Sequence, residues 1–398
     1  MGFLTPPAKK PLMAADKIDS EYKKMRLKVF LGIYLGYAAY YLVRKNLSLA
    51  APGMIEDGLI DKAGAGVAMS GIPIAYAVSK FIMGSISDRS DARKFMTVGL
   101  VLSSLVMILA GILPYPTGVG GNYAVTVGLM FVFMFLAGWL SGMGWPPCGR
   151  IMAYWFSNNE RSFKMSLWNT SHTIGAGTLG ILAIFGVGMF MDMGIDQAWR
   201  ANFIVPSAVA LVIAFFCWWA LRDTPESCGL PSVADWRNDH SGVKTKEKVG
   251  EKVPFKTQLF DYVLKNKWIW MIALANAFVY MVRYGIGDWC PTYLQETGIM
   301  TGSECKMAFS IHNYVGAVGT IVCGWVSAKF FKGKCAPPNI IFMGLVLVGC
   351  VMYWQVPALA AATGIDAKVW VYVALILIGF CIYGPVALVS IQALNLVP

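Results

Sequence analysis

Charged side chains are scarce in this chain. Only 14% of its 398 residues are Asp, Glu, Lys or Arg, whereas 57% are hydrophobic. So little charge argues against an ordinary water-soluble globular surface. The residues that are abundant suit a lipid bilayer, because the 14 Trp favour membrane interfaces and the 41 Gly allow transmembrane helices to pack closely. The composition therefore indicates a polytopic membrane protein.

Signatures of catalysis, metal binding and cleavable targeting are also missing. The nine Cys have neither the paired spacing of a zinc site nor that of a disulfide scaffold. None of the three His is followed within five residues by an acidic partner, and no GxxxxGK loop occurs. We therefore predict no enzyme, no cofactor and no metal. The basic N-terminus lacks a nearby cleavage site, so the first helix should be retained.

Runs of about 20 apolar residues, the length that crosses a bilayer, recur along the chain. Ten spans are predicted, near residues 28–53, 63–87, 95–113, 123–147, 163–190, 202–221, 268–292, 307–330, 338–358 and 369–395. Between the sixth and seventh, charge of both signs and a shortage of aromatics predict a linker. The predicted domains are an N-terminal segment (1–27), a six-helix bundle (28–221), a linker (222–267) and a four-helix bundle (268–398).

The formal net charge of +11 would be compatible with nucleic-acid binding, but its distribution indicates otherwise. Positive residues fill alternate loops, such as the loop with Arg150, Arg161 and Lys164, while Glu56 and Asp57 lie in an intervening loop. Basic loops stay on the cytoplasmic side of a membrane. This alternation of loops predicts that the N-terminus and the linker are cytoplasmic. It also accounts for the net charge without nucleic acid.

Short motifs repeat at a nearly constant distance. YLVR ends at Arg44 and YMVR ends at Arg283, an offset of 239 residues. GSISD from Gly84 and GWVSA from Gly324 are 240 apart, and Pro146 and Pro385 are again 239 apart. Three matches in the same order predict two pseudo-symmetric six-helix halves. The counterparts of the fifth and sixth spans would lie beyond residue 398, so the second bundle is expected to lack its last two helices.

Two arginines lie within the predicted spans, where an ionisable residue is costly and indicates function. Guanidinium binds phosphate through two parallel hydrogen bonds and stays charged. Because the repeat pairs Arg44 with Arg283, we predict that both bind the phosphate of a doubly charged solute. Alternatively, Arg44 and Lys45 form an interfacial flank, or Arg283 pairs with Asp288.

Other polar side chains share these spans. Lys80 follows Tyr76 by four residues, so the two side chains share one helix face. Lys80 either contacts the substrate or forms an internal ion pair. His172 lies among small polar residues and either contacts substrate or packs. Tyr37 and Tyr41 lie on nearly the stripe of Arg44, and Tyr383 adjoins a predicted helix break. Interfacial tyrosines are the alternative for these three.

Longer motifs carry a family resemblance. They are GYAAYYLVRKN (36–46), SKFIMGSISDRS (79–90), GMGWPPCGR (142–150), RDTPESCGLP (222–231) and RYGIGDW (283–289). Along essentially its whole length the chain resembles the organophosphate:phosphate antiporters of the major facilitator superfamily, and within them the bacterial glycerol-3-phosphate branch. The resemblance implies an all-α fold of two helix bundles in a bacterial inner membrane.

The resemblance also implies roles for particular residues. Those that would bind the substrate phosphate are Arg44, Arg283 and His172. Those that would line the cavity are Lys80, Tyr37, Tyr41, Tyr76 and Tyr383. Lys45 and Asp288 match charged residues that couple the two halves. Two positions depart from the family pattern, since Asn313 and Ala328 each replace an acidic residue.

The activity implied is import of glycerol 3-phosphate in exchange for cytoplasmic inorganic phosphate, by alternating access in a monomer surrounded by lipid. Hexose 6-phosphate is the alternative substrate, because it presents the same phosphate to the same arginines. A sugar-phosphate sensor of the same fold, which binds without transporting, is the alternative of another class.

Overall fold

The computed structural model describes residues 2–115, 123–239, 260 and 264–394. Within these residues all regular secondary structure is helical. The chain divides into two compact units, Met1–Lys244 and Thr245–Pro398. The all-α architecture predicted from the sequence is therefore confirmed.

The first unit is built from ten α-helices. They are α1 (Ala15–Leu42), α2 (Asn46–Glu56), α3 (Lys62–Ser87), α4 (Ala92–Ile112), α5 (Tyr123–Ser141), α6 (Trp145–Trp155), α7 (Asn158–Asn169), α8 (Ser171–Asp192), α9 (Ala201–Ala220) and α10 (Val233–Arg237). Short 3-10 helices at Ala198–Arg200 and Glu226–Cys228 flank α9. The most extensive packing in this unit is of α3 on α5, of α4 on α9 and of α1 on both α8 and α9.

The second unit contributes five described α-helices. They are α11 (Lys267–Glu296), α12 (Ser303–Phe331), α13 (Ala336–Trp354), α14 (Val356–Thr363) and α15 (Ala367–Leu394). Helix α15 packs along both α12 and α13, and its buried apolar side chains form the centre of this unit's core.

Nine segments of the described residues are long and apolar enough to cross a membrane. Each corresponds to one predicted span, and only the first predicted span, residues 28–53, is not among them. That run is divided because α1 ends at Leu42 and α2 begins at Asn46. Alone, α2 has only 11 residues, and α1 carries charged residues and several tyrosines in its sequence. A single continuous helix was expected here, and the structure has a break instead.

Residues after α9 pack back onto the first unit. Asp223 accepts a hydrogen bond from the Ala92 N–H and pairs with Arg150, both at 3.0 Å. Burial raises the pKa of the Asp223 carboxyl. The ring of Trp236 stacks on Tyr22 at 4.2 Å. The predicted linker, residues 222–267, thus begins with residues that pack on the first unit, and its residues 240–259 and 261–263 lie outside the described part.

Candidate functional site

Arg44 lies in the break between α1 and α2. Its guanidinium carbon is 4.0 Å from the centroid of the Tyr76 ring and 5.4 Å from that of Tyr41, and the residue is 4% exposed. Aromatic faces attract cations, most strongly where water is excluded. The two rings therefore hold a buried positive charge between α1 and α3.

Asn46 explains how the chain accommodates the break. Its side-chain amide donates to the carbonyl of Leu42 at 2.9 Å and to that of Asn202 at 2.8 Å. The last carbonyls of a helix have no intrahelical donor, so the first bond satisfies the end of α1. The second ties this end to α9.

Lys80 brings a second cation to the same ring. Its ammonium nitrogen is 5.1 Å from the Tyr76 centroid, one turn further along α3. Lys80 is exposed and forms no salt bridge with a carboxylate among the residues that the structure describes. Two positive groups thus flank one aromatic ring, an arrangement that favours an anion nearby.

Aromatic contacts extend this group to α8. The ring centroids of Tyr37 and Tyr41 are 5.7 Å apart, and His172 lies 5.5 Å from Tyr41. The His172 Nδ1 atom contacts the carbonyl of Asn169, which can only accept, so Nδ1 carries the hydrogen. On its other side Tyr37 packs on Trp168 at 4.7 Å.

A close approach of two helices makes these contacts possible. A methyl group added at Gly175 of α8 would lie 2.2 Å from the carbonyl oxygen of Ala38 in α1, which no side chain could tolerate. Six predicted site residues are consequently joined through ring and cation contacts, and we call them the Arg44 cluster. They are Tyr37, Tyr41, Arg44, Tyr76, Lys80 and His172.

Arg283 has matching surroundings in the second unit. Its guanidinium carbon is 4.7 Å from the Tyr383 centroid and 5.3 Å from that of Tyr280. Tyr280 precedes Arg283 by three residues, as Tyr41 precedes Arg44. Each arginine therefore lies beside one tyrosine of its own chain segment and one of another helix. In contrast to Arg44, Arg283 lies within a continuous helix.

Asn313 fixes the second of these tyrosines. The Tyr383 hydroxyl donates to Asn313 Oδ1 at 2.6 Å, and Asn313 Nδ2 donates to the Phe309 carbonyl at 2.8 Å. Both Asn313 and Tyr383 are buried. We call Tyr280, Arg283, Asn313 and Tyr383 the Arg283 cluster. Tyr280 was not predicted as a site residue, although the YLVR and YMVR repeat contained the signal.

The remaining predicted residues follow the arginines along the chain. Lys45 adjoins Arg44 in the same break, and Asp288 lies five residues after Arg283 on α11. Their role in coupling the two halves stays a prediction. Ala328, the other departure from the family pattern, is exposed near the end of α12.

Known proteins share both the sequence and the fold. The model of the Major Facilitator Superfamily matches residues 33–398. The "Glycerol-3-phosphate transporter" of Bacillus subtilis (strain 168) is 45% identical over 385 residues, which cover 96% of this chain and 81% of that protein. The "Membrane sensor protein UhpC" of Escherichia coli (strain K12) is 32% identical over 98% of this chain and 83% of its own length.

A solved structure agrees with the fold. A bacterial homologue of the human lysosomal transporter Spinster, in an inward-facing and unoccupied conformation, has a TM-score of 0.63. The match covers 94% of this chain and 79% of that one, at 17% identity. The resemblance predicted from the motifs is confirmed, and this multi-pass membrane protein belongs to the Major Facilitator Superfamily.

Proposed function

We propose that the protein is a secondary active antiporter that imports glycerol 3-phosphate in exchange for cytoplasmic inorganic phosphate. It acts as a monomer in a bacterial inner membrane, with its N-terminus in the cytoplasm. The observation that carries the proposal is the similar setting of Arg44 and Arg283, which are equivalent in the repeat and each lie against two tyrosine rings. One tyrosine of each pair, Tyr41 and Tyr280, is also equivalent in the repeat. The identity of 45% to a glycerol-3-phosphate transporter supports the choice of substrate.

In this proposal both arginines bind the phosphate group. A guanidinium offers paired donors to phosphate oxygens, and these charge-assisted hydrogen bonds are stronger than neutral ones. His172 also binds phosphate, while Lys80 and the four tyrosines line the cavity. Lys80 adds a positive charge without a carboxylate partner in the described part of the chain, which supports an anionic substrate.

Exchange follows from the cost of cations in apolar surroundings. Buried positive charges are stabilised when an anion binds them, so the loaded protein should change conformation more readily than the empty one. If the protein crosses between its two conformations only with an anion bound, each import is coupled to an export, which is antiport. Alternating access supplies the conformational change, with Lys45 and Asp288 as charged residues that couple the halves.

Counterflow in proteoliposomes tests the proposal. Vesicles loaded with inorganic phosphate should take up labelled phosphate, and external glycerol 3-phosphate should compete. Arg44→Gln and Arg283→Gln should each raise the half-saturating concentration about 10- to 150-fold, the equivalent of about 1.5–3 kcal/mol for charged hydrogen bonds. Arg237→Gln is the matched control, because this arginine is about half exposed and pairs with Glu160 at 3.6 Å.

Two outcomes would redirect the proposal. Exchange that persists after both arginines are replaced would refute their role. Competition by glucose 6-phosphate at lower concentration than glycerol 3-phosphate would instead favour the hexose substrate.

A non-transporting sensor is the second candidate, favoured by the 32% identity to a membrane sensor protein. It predicts saturable binding of a sugar phosphate without counterflow. Saturable exchange by the purified protein would exclude it.

A further inference from the structure

His312 of α12 is a buried polar residue that the arginine sites do not use. It is 2% exposed, and its Nδ1 atom lies 3.1 Å from the carbonyl oxygen of Leu375 in α15. A carbonyl can only accept, so Nδ1 carries the hydrogen. In the neutral ring Nε2 is then a hydrogen-bond acceptor. This atom is buried and has no hydrogen-bond partner among the described residues.

A buried acceptor such as His312 Nε2, without a partner among the described residues, indicates a place where a hydrogen-bond donor can bind. Buried polar side-chain atoms are nearly always paired, because an unpaired one costs about 1–3 kcal/mol. The ring has little freedom to find a partner within its own helix pair. A methyl group added at Gly379 of α15 would lie 3.0 Å from Nδ1 and 2.3 Å from the His312 carbonyl, so the two helices touch at this point.

Contacts connect His312 to the Arg283 cluster. Its ring centroid is 6.0 Å from that of Tyr383, the same ring that lies 4.7 Å from the Arg283 guanidinium carbon. The hydroxyl hydrogen of Tyr383 is directed to Asn313, so the hydroxyl oxygen can act towards another group only as an acceptor. The Arg283 guanidinium and the His312 imidazole thus both lie near the Tyr383 ring, whose own hydroxyl oxygen is a second acceptor.

These groups differ in the part of an organophosphate that they suit. The guanidinium donates and therefore binds phosphate oxygens, whereas an acceptor binds a hydroxyl. Resting on the proposed function, we propose that His312 determines specificity by accepting, through Nε2, a hydrogen bond from a hydroxyl of the substrate's organic part. It would thus favour a phosphorylated polyol over inorganic phosphate.

Access to Nε2 requires a local change. The atom is buried in this structure, so a neighbouring side chain must move when the polyol enters. Rotamer changes of this kind are common on binding.

Two substitutions separate the nitrogen atoms of the ring. His312→Asn keeps an amide N–H that can reach the Leu375 carbonyl but removes the acceptor at the ε position. His312→Gln extends an amide oxygen to about where Nε2 lies. Ser310→Ala is the matched control, because Ser310 is fully buried on the same helix and its hydroxyl donates within that helix, to the Lys306 carbonyl at 3.0 Å.

Equilibrium binding of labelled glycerol 3-phosphate and of labelled inorganic phosphate to the purified protein tests the inference without requiring transport. We expect His312→Asn to weaken binding of glycerol 3-phosphate about 2- to 12-fold, the equivalent of one neutral hydrogen bond, and to leave phosphate binding within about twofold. His312→Gln should lie closer to wild type, and Ser310→Ala should match it.

The outcomes are distinguishable. Equal weakening of both ligands by His312→Asn, or no weakening of either, would overturn the inference and leave a packing role for His312. If His312→Asn fails to fold, a wild-type preference retained in His312→Phe would overturn it as well. Wild-type protein that binds neither ligand would refute the proposed function itself, and the inference would fall with it.

Discussion

Tyr76 offers the sharpest test of the proposal that the Arg44 cluster binds an anion. Its ring lies 4.0 Å from the Arg44 guanidinium carbon and 5.1 Å from the Lys80 ammonium nitrogen. We predict that Tyr76→Leu weakens phosphate binding, because the ring fixes both cations before the anion arrives. Without the ring, Arg44 loses one of the contacts that order its side chain, so part of that ordering must take place when the anion binds.

The magnitude follows from the burial of each cation. Ordering a rotamer-rich side chain such as Arg44 costs about 0.5–1.5 kcal/mol. Lys80 is exposed, so its contact with the ring contributes about 0.5 kcal/mol more. Together these terms amount to about 1–2 kcal/mol, so the dissociation constant for phosphate should rise about 5- to 30-fold.

Tyr76→Phe is the matched control because it keeps the ring and removes only the hydroxyl. Titration of inorganic phosphate into purified protein should place Tyr76→Phe within about threefold of wild type, well separated from Tyr76→Leu. Equal losses in both variants would show that the hydroxyl binds the anion and that the ring is incidental. Unchanged binding in Tyr76→Leu would refute the role of preorganisation.

Three further predictions concern the frame that holds this cluster. Asp223→Ala should destabilise the purified protein by about 3 kcal/mol in an unfolding titration, because it leaves the Arg150 guanidinium without its buried carboxylate partner; a loss below about 1 kcal/mol would contradict this. Gly175→Val should abolish the yield of monodisperse protein in gel filtration, since its side chain would overlap the Ala38 carbonyl; normal yield would be inconsistent with the observed packing. The pKa of Asp61 is lowered because its carboxylate accepts hydrogen bonds, so its stabilising effect is complete above its ordinary pKa and is lost as pH falls through the lowered one; the melting temperature of wild type should therefore drop more steeply below about pH 4 than that of Asp61→Asn, and parallel curves would refute this.

Matched controls are available for two of these variants. A methyl group added at Gly188, on the same helix as Gly175, would meet nothing within 4 Å, so Gly188→Val should fold. Glu21, which is partly exposed, and the exposed Lys24 form a pair at 3.6 Å. Because such pairs contribute about 0–1 kcal/mol, Glu21→Ala should change stability far less than Asp223→Ala.

The sequence predicted which site residues lie together on one helix better than it predicted which residues meet across two helices. Spacing placed Tyr37 and Tyr41 on one stripe and Tyr76 with Lys80 on one face, and the structure keeps both pairs together. The stripe was extended to Arg44 on the assumption of a continuous helix. The chain instead leaves helical geometry at Val43, a change that the periodicity of the sequence does not encode.

Contacts between helices depended on details that a single sequence hides. The meeting of Tyr41 with His172 requires the close passage of Gly175 past Ala38, and nothing in the local sequence of either helix specifies that crossing. The repeat could have predicted Tyr280 from Tyr41. It gives no signal for His312, whose counterpart at an offset of 240 is the apolar Ile72.

The break at Val43–Lys45 makes the two repeats unequal. Arg283 is part of a continuous helix of 30 residues. Arg44 instead lies between α1 and α2, where the side chain of Asn46 bonds to the carbonyl of Leu42 and to that of Asn202. The two arginines are therefore presented by backbones of different kinds. Under the proposed function, the two arginines would therefore meet the same phosphate group from unlike backbone settings, one within a helix and one at a helix break.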